Sequence, residues 1–191
     1  MTSSLDQPVT RFLDQVAART PAPGGGGAAA LTGALAAGLV AMAARFSAAQ
    51  LPGTGQLASR ADQLRHRAAE LVDEDAQAYG SVLDAFALPR HDEQREQRIR
   101  SALERAATVP QEMTEIAAQV AEMAAQLAAR GNPNLRGDSV SAALLAEASA
   151  RCAACLVDIN VKLGGLGDDL SRRAAEGLAV ASAAARQATA E

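Results

Sequence analysis

An all-α fold, a bundle of about six to seven helices with one very long member, is predicted by three observations. Glycine, proline and capping residues cut the 191 residues into segments whose apolar positions recur at helical spacing. No stretch sustains the alternation of a β-strand. The 49% of hydrophobic residues is rich in alanine while aromatics make up only 2%, a composition that favours helix but offers little area per side chain.

The first helix is expected from about Leu5 to Arg19, with Phe12, Leu13 and Val16 on one face. The second runs from Gly27 to about Ala49, where Gly33, Ala37, Gly38 and Ala41 offer a small-residue surface to another helix. After the break at Leu51-Pro-Gly-Thr-Gly55, the very long helix extends from about Gln56 to Leu88 and ends before Pro89. A charged, solvated helix from His91 to Arg105 touches the rest through Ile99 and Leu103, until Pro110 interrupts it. Pro110 then starts a helix that carries Met113, Ile116, Ala117, Val120, Met123 and Leu127 inward and stops at Gly131. Asp138 reads as the N-cap of the next, Ser139 to Leu163. A last helix, about Asp168 to Ala188, follows Gly164-Gly-Leu-Gly167.

The length fits one domain over residues 1–191. An alanine-rich core is thin, so burying small-residue faces between subunits would enlarge it, and a homodimer is expected. A net charge of -4, without a basic cluster interleaved with aromatics, argues against a nucleic-acid partner. The N-terminus lacks the basic and apolar regions of a secretion signal, which points to the cytoplasm. The charge-free stretch from Gly27 to Ala44 is long enough to raise a membrane span, but its Ala and Gly content and lack of flanking Trp or Tyr read as a buried core helix instead.

Four consecutive glycines, Gly24 to Gly27, follow Thr20-Pro-Ala-Pro23 and open into the second helix. Such a run leaves the first N–H groups of a helix unobstructed, beside the positive end of its dipole, where an anionic or carbonyl-bearing ligand can sit. The same run also suits a linker or a close-packed crossing, although Pro21 and Pro23 stiffen the approach. On the long helix, Asp75 falls inside the apolar stripe, four residues after Leu71 and four before Tyr79. A regular helix points it toward the core or a cleft, where a carboxylate must be paired, hydrogen-bonded or facing a cavity. Asp73 and Glu74 fall on other faces, and the whole cluster also reads as a surface acidic patch.

Cys152-Ala-Ala-Cys155 has the spacing of a metal or redox pair, but without a second pair or a nearby histidine it reads as two core thiols. His66 and His91 are isolated, and no metal site is expected. Gly131-Asn-Pro-Asn134 with Asp138 forms a second polar element, either a functional loop or a helix stop followed by a cap.

Taken in order, Thr20-Pro-Ala-Pro-Gly-Gly-Gly26, Leu71-Val-Asp-Glu-Asp-Ala-Gln-Ala-Tyr79, Ala87-Leu-Pro89, Ala107-Thr-Val-Pro110 and Gly131-Asn-Pro-Asn134 with Asp138 resemble one family. It is the formiminotransferase-cyclodeaminase C-terminal domain family, which includes stand-alone cyclodeaminases and bacterial methenyltetrahydrofolate cyclohydrolases. The likeness covers roughly Leu5 to Leu166. It implies an all-helical homodimer with a folate site near the subunit interface. No prosthetic group is implied; a tetrahydrofolate derivative is the substrate.

The resemblance implies substrate-binding roles for Pro23, Gly24, Gly25, Gly26 and Gly27, for Asp73, Glu74 and Tyr79, and for Asn132, Asn134 and Asn160. In cyclodeamination, N10 attacks the formimino carbon held on N5 and ammonia leaves; in cyclohydrolysis, water opens the methenyl bridge to 10-formyltetrahydrofolate. Positive charge spreads over two nitrogens in both, so a carboxylate near the ring stabilises it and can move a proton. Asp75 is the first candidate for that catalytic role and Asp138 the second. The electrophile carries its own activating charge, so no metal is needed. Arg45, Arg136 and Arg151 are candidate partners for the anionic tail. The chain departs from the family pattern at Ala48 to Gly55, where many members carry a Lys-rich, Tyr-containing segment, and at Leu156-Val-Asp-Ile-Asn160, where only Asn160 fits. The alternative is a non-catalytic helical dimer that binds a folate or another anionic small molecule.

Overall fold

A computed structural model describes residues 3–190; residues 1, 2 and 191 lie outside the described residues. Among the described residues there are six α-helices and no strand: α1 (Val9–Ala17), α2 (Gly25–Phe46), α3 (Thr54–Ala87), α4 (Arg95–Arg130), α5 (Arg136–Gly164) and α6 (Asp169–Thr189). A single 3-10 turn, Pro133–Leu135, joins α4 to α5. Two helices are very long, not one: α3 has 34 residues and α4 has 36.

Helix α4 is the central member. It packs against α2, α3, α5 and α6, while α2 also packs on α3 and α5. Small residues set these crossings. Ser149 of α5 donates its hydroxyl to the Ala29 carbonyl of α2 at 2.8 Å, and a Cβ on the facing Gly33 would lie 3.0 Å from that hydroxyl oxygen. At the α4–α6 contact, a Cβ on Gly177 would come within 3.0 Å of the Thr114 carbonyl. Alanines such as Ala36, Ala37, Ala121 and Ala146 are fully buried between the helices. Helix α2 is long and apolar enough to cross a membrane, yet 61% of its most apolar window is buried inside this bundle.

Several sequence expectations are corrected. Helix α1 is shorter than Leu5–Arg19 and buries Phe12 alone; Leu13 and Val16 face outward because a nine-residue helix lying on the bundle presents only one position to the core. Tyr79, Leu83 and Phe86 are also exposed, so beyond Val72 the buried face of α3 narrows to Ala78, Val82 and Ala85. Cys152 and Cys155 are exposed thiols, not core ones.

Pro110 does not divide two helices. It lies buried within the continuous α4, whose N-terminal half was expected to end at Arg105. A proline in a helix interior cannot donate to the carbonyl four residues earlier, here that of Ala106. Asn160 of α5 donates its side-chain amide to that carbonyl at 2.8 Å, so the orphaned acceptor is satisfied across the helix interface. Asp138 likewise is not an N-cap. Helix α5 begins at Arg136, and Asp138 sits in its first turn, where its charge favours the helix dipole.

Candidate active site

Helix α2 begins two residues earlier than the sequence suggests, so Gly25, Gly26 and Gly27 form its first turn and Gly24 is its N-cap, in extended conformation. None of these glycines has a positive φ, so backbone freedom is not what selects them. Space selects one. A Cβ built on Gly26 would lie 2.0 Å from Oδ1 of Asp75, so any side chain there would displace the carboxyl from its place. The Asp75 carboxyl therefore rests directly against the first turn of α2, close enough for the Gly27 N–H dipole to favour its charged form. A Cβ on Gly25, by contrast, would meet nothing within 4 Å, because that residue faces open space.

The open space is a cavity of about 310 Å³ between the start of α2, α3, α4 and α5. Gly24, Gly25 and Gly26 form one wall, with Pro21 and Ala22 beside them. Asp75 and Tyr79 enter from α3, Ala106 from α4, and Leu156, Ile159 and Asn160 from α5. Burial pushes the Asp75 carboxyl above the ordinary carboxylate range, and the Gly27 N–H only partly offsets this. The site thus combines an apolar wall, an aromatic ring at its rim and one carboxyl of weakened acidity, a combination that can stabilise or deprotonate a cationic ligand.

Other predicted site residues lie elsewhere. Asp73 accepts from the Ser4 backbone N–H at 3.0 Å and tethers the N-terminal segment to α3. Burial would raise its pKa, but donors on Ser3 and Ser4 bring it net below the usual value. Glu74 pairs with Arg67 at 2.5 Å, and Arg67 also binds Glu70 and Glu112, tying α3 to α4. Pro23 packs behind the wall, 3.4 Å from where a Gly27 Cβ would be.

The Gly131–Asn134 loop lies at the far end of α2. Asn132 donates its backbone N–H to Ser47 Oγ at 2.9 Å and its side-chain amide to the Phe46 carbonyl at 3.1 Å, while its side-chain oxygen accepts from Asn134 N–H. Because α2 has 22 residues, that loop and half-buried Asp138 stand about 30 Å from Gly25 within one chain. Arg45 pairs with Asp62, and Arg136 donates to the Ala190 carbonyl at 2.9 Å.

Sequence reasoning missed Leu156, Ile159 and Ala106, which carry no chemistry of their own. The α5 helical period offered a signal, since Leu156 and Ile159 flank Asn160 on one side of that helix. A larger depression of about 630 Å³ lies between α3 and the start of α4, beside Asp84, Gln97 and Arg98; Leu88 of the Ala87-Leu-Pro89 motif lines it, but none of the candidate catalytic or substrate-binding residues does. Among the described residues, no three His, Cys, Asp or Glu side chains converge as a metal-binding set.

An all-helical bundle with a carboxyl set against a glycine turn in an apolar cavity defines a small-molecule site. The chain belongs to the formiminotransferase-cyclodeaminase family, whose model matches residues 8–171. It is 31% identical over 167 residues to a methenyltetrahydrofolate cyclohydrolase of Methylorubrum extorquens, covering 82% of this chain and 80% of that one. It is 32% identical over 170 residues to the mouse formimidoyltransferase-cyclodeaminase, covering 84% of this chain but only 31% of the longer mouse protein. In structure it is similar to the formiminotetrahydrofolate cyclodeaminase of Thermotoga maritima, with a TM-score of 0.82, 26% identity, and coverage of 95% and 93% of the two chains.

Proposed function

We propose that this protein is a folate one-carbon enzyme acting on the N5,N10 carbon bridge of tetrahydrofolate, as a methenyltetrahydrofolate cyclohydrolase or a formiminotetrahydrofolate cyclodeaminase. The observation that carries this reading is Asp75, a carboxyl of raised pKa held against Gly26 and facing the cavity. Relatives named for each of these activities span most of the chain and support it.

The pterin enters the cavity with the bridge carbon toward Asp75, and Tyr79 covers it from the rim. In cyclohydrolysis the ionised carboxylate stabilises the cation spread over N5 and N10 and takes a proton from the attacking water. A carbon–oxygen bond forms, the carbon–N5 bond breaks, and 10-formyltetrahydrofolate and one proton leave. In cyclodeamination N10 bonds to the formimino carbon, the Asp75 carboxyl protonates the departing nitrogen, and ammonia is released. Both reactions use one carboxyl that must change protonation state, which suits a group whose acidity burial has weakened.

The working unit is a homodimer. The outer stripe of α2, formed by Leu31, Leu35, Met42 and Phe46, is incompletely buried; Leu35 is 58% and Phe46 65% exposed. Pairing two such stripes antiparallel about a two-fold axis covers both. It also sets the Gly131–Asp138 loop of a second copy beside the Gly24–Gly26 cavity, joining the two ends of α2 that one chain keeps apart.

Two assays test the function: loss of methenyltetrahydrofolate absorbance, and ammonia release from formiminotetrahydrofolate. Turnover of at least one is expected. Turnover of neither contradicts the proposal.

A further inference from the structure

A separate depression of about 370 Å³ opens in the groove between α5 and α6. Arg151, Asp158 and Lys162 line it from α5 and Ser171 from α6. Ile159 lines both this groove and the Gly26–Asp75 cavity, and its side chain is 52% exposed, so it forms the ridge between them. The α5 period explains the arrangement. Arg151, Cys155, Asp158 and Lys162 stand on one face, Leu156 and Asn160 on the next, and Ile159 on the edge they share.

The groove carries two cations against one carboxylate. Lys162 is the sole lysine of the chain and makes no ion pair among the described residues. Arg151 is paired with Glu147 at 2.7 Å and reaches the Ser182 hydroxyl at 3.4 Å, but its own side chain is 63% exposed and its remaining guanidinium donors are open to an anion. Other candidate cations are engaged or remote. Arg67 is surrounded by Glu70, Glu74 and Glu112, Arg45 lies in the last turn of α2, and Arg136 lies past the turn at Pro133–Leu135. Helix α6 packs on α4 and α5, so pairing through the outer stripe of α2 leaves the groove open.

We infer that the α5–α6 groove binds the carboxylates of the substrate's glutamate tail through Lys162 and Arg151, with the aminobenzoyl ring crossing Ile159 and the pterin in the neighbouring cavity. This rests on the folate reading above. The ridge brings the two depressions into contact, and a folate is a long molecule with a flat apolar middle and an anionic end. Ser171 adds a hydroxyl donor, and Asp158 lines the same groove without an ion pair to either cation among the described residues.

The test compares two substrates. One is methenyltetrahydrofolate; the other is methenyltetrahydropteroate, which has the same reacting bridge but lacks glutamate. Lys162→Glu and Arg151→Glu are each expected to raise KM for the first about tenfold, with kcat unchanged, the scale of one lost charged hydrogen bond. KM for the second stays unchanged, as it does for both substrates in Arg100→Glu, a charge reversal at an exposed α4 residue outside the groove. An equal rise on both substrates, or no rise on either, overturns the groove assignment while an active wild type leaves the folate reading standing. A wild type inert toward folates overturns that reading and the groove assignment with it.

Discussion

Gly26 and Asp75 form the contact on which the site depends. A Cβ at Gly26 would overlap the Asp75 carboxyl, whose far end can rotate away, so Gly26→Ala is expected to leave the fold within about 1–3 kcal/mol of wild type yet lose activity as severely as removal of the carboxyl. Urea unfolding and kcat, measured together, check this. Asp75 also sets a pH dependence. Its folded-state pKa is raised by burial, so the penalty for its charge is absent below the unfolded carboxylate value of about 3.9 and grows as pH rises through the folded value. Asp75→Asn should therefore raise Tm at neutral pH, with the difference fading as the pH approaches 4; a destabilised variant at pH 7.5 would contradict the burial argument. The sequence made this residue legible because the 3.6-residue period of α3 put a carboxylate inside an apolar stripe. It could not reveal that only one of four glycines is sterically required, since that depends on a contact 49 residues away in the chain.

Helix α4 shows where local rules stop. Glycine and capping signals located most helix ends to within a few residues, because those ends are set by neighbours in sequence. In sequence Pro110 reads as a boundary because its cost is local while its compensation, the Asn160 amide on the Ala106 carbonyl, comes from α5. Asn160→Leu should cost about 1–3 kcal/mol by leaving that buried carbonyl unpaired. The cost should shrink in a Pro110→Ala background, whose new N–H reclaims the same carbonyl, and a double-mutant cycle measures the difference. Equal costs in both backgrounds would mean that Asn160 stabilises the fold by some other contact. The same bond explains how Asn160 comes to line the cavity with its position fixed. Leu156 and Ile159 share that helix, but nothing in their chemistry marked them out, and the exposed Cys152 and Cys155 misled because small apolar neighbours surround them in sequence.

At the scale of the whole molecule, the motifs that share one family pattern occupy opposite ends of α2. Sequence order cannot tell whether two motifs meet within one chain; the 22-residue length of α2 shows that these do not. Antiparallel pairing of α2 predicts that mixing Asp75→Asn subunits with Asp138→Asn subunits restores activity toward about one quarter of wild type, since random exchange makes about half of the dimers hybrids and each hybrid assembles one intact site of two. Two inactive parents whose mixture stays inactive after subunit exchange would place both residues in separate roles within one chain. The proposed chemistry itself rests on a single carboxyl. The most direct measurement is kcat of Asp75→Asn beside wild type, on methenyltetrahydrofolate by absorbance and on formiminotetrahydrofolate by ammonia release. A loss of about 10²- to 10⁴-fold on the substrate that wild type turns over, with the helical content intact, is predicted; an Asn variant that retains wild-type kcat would contradict it.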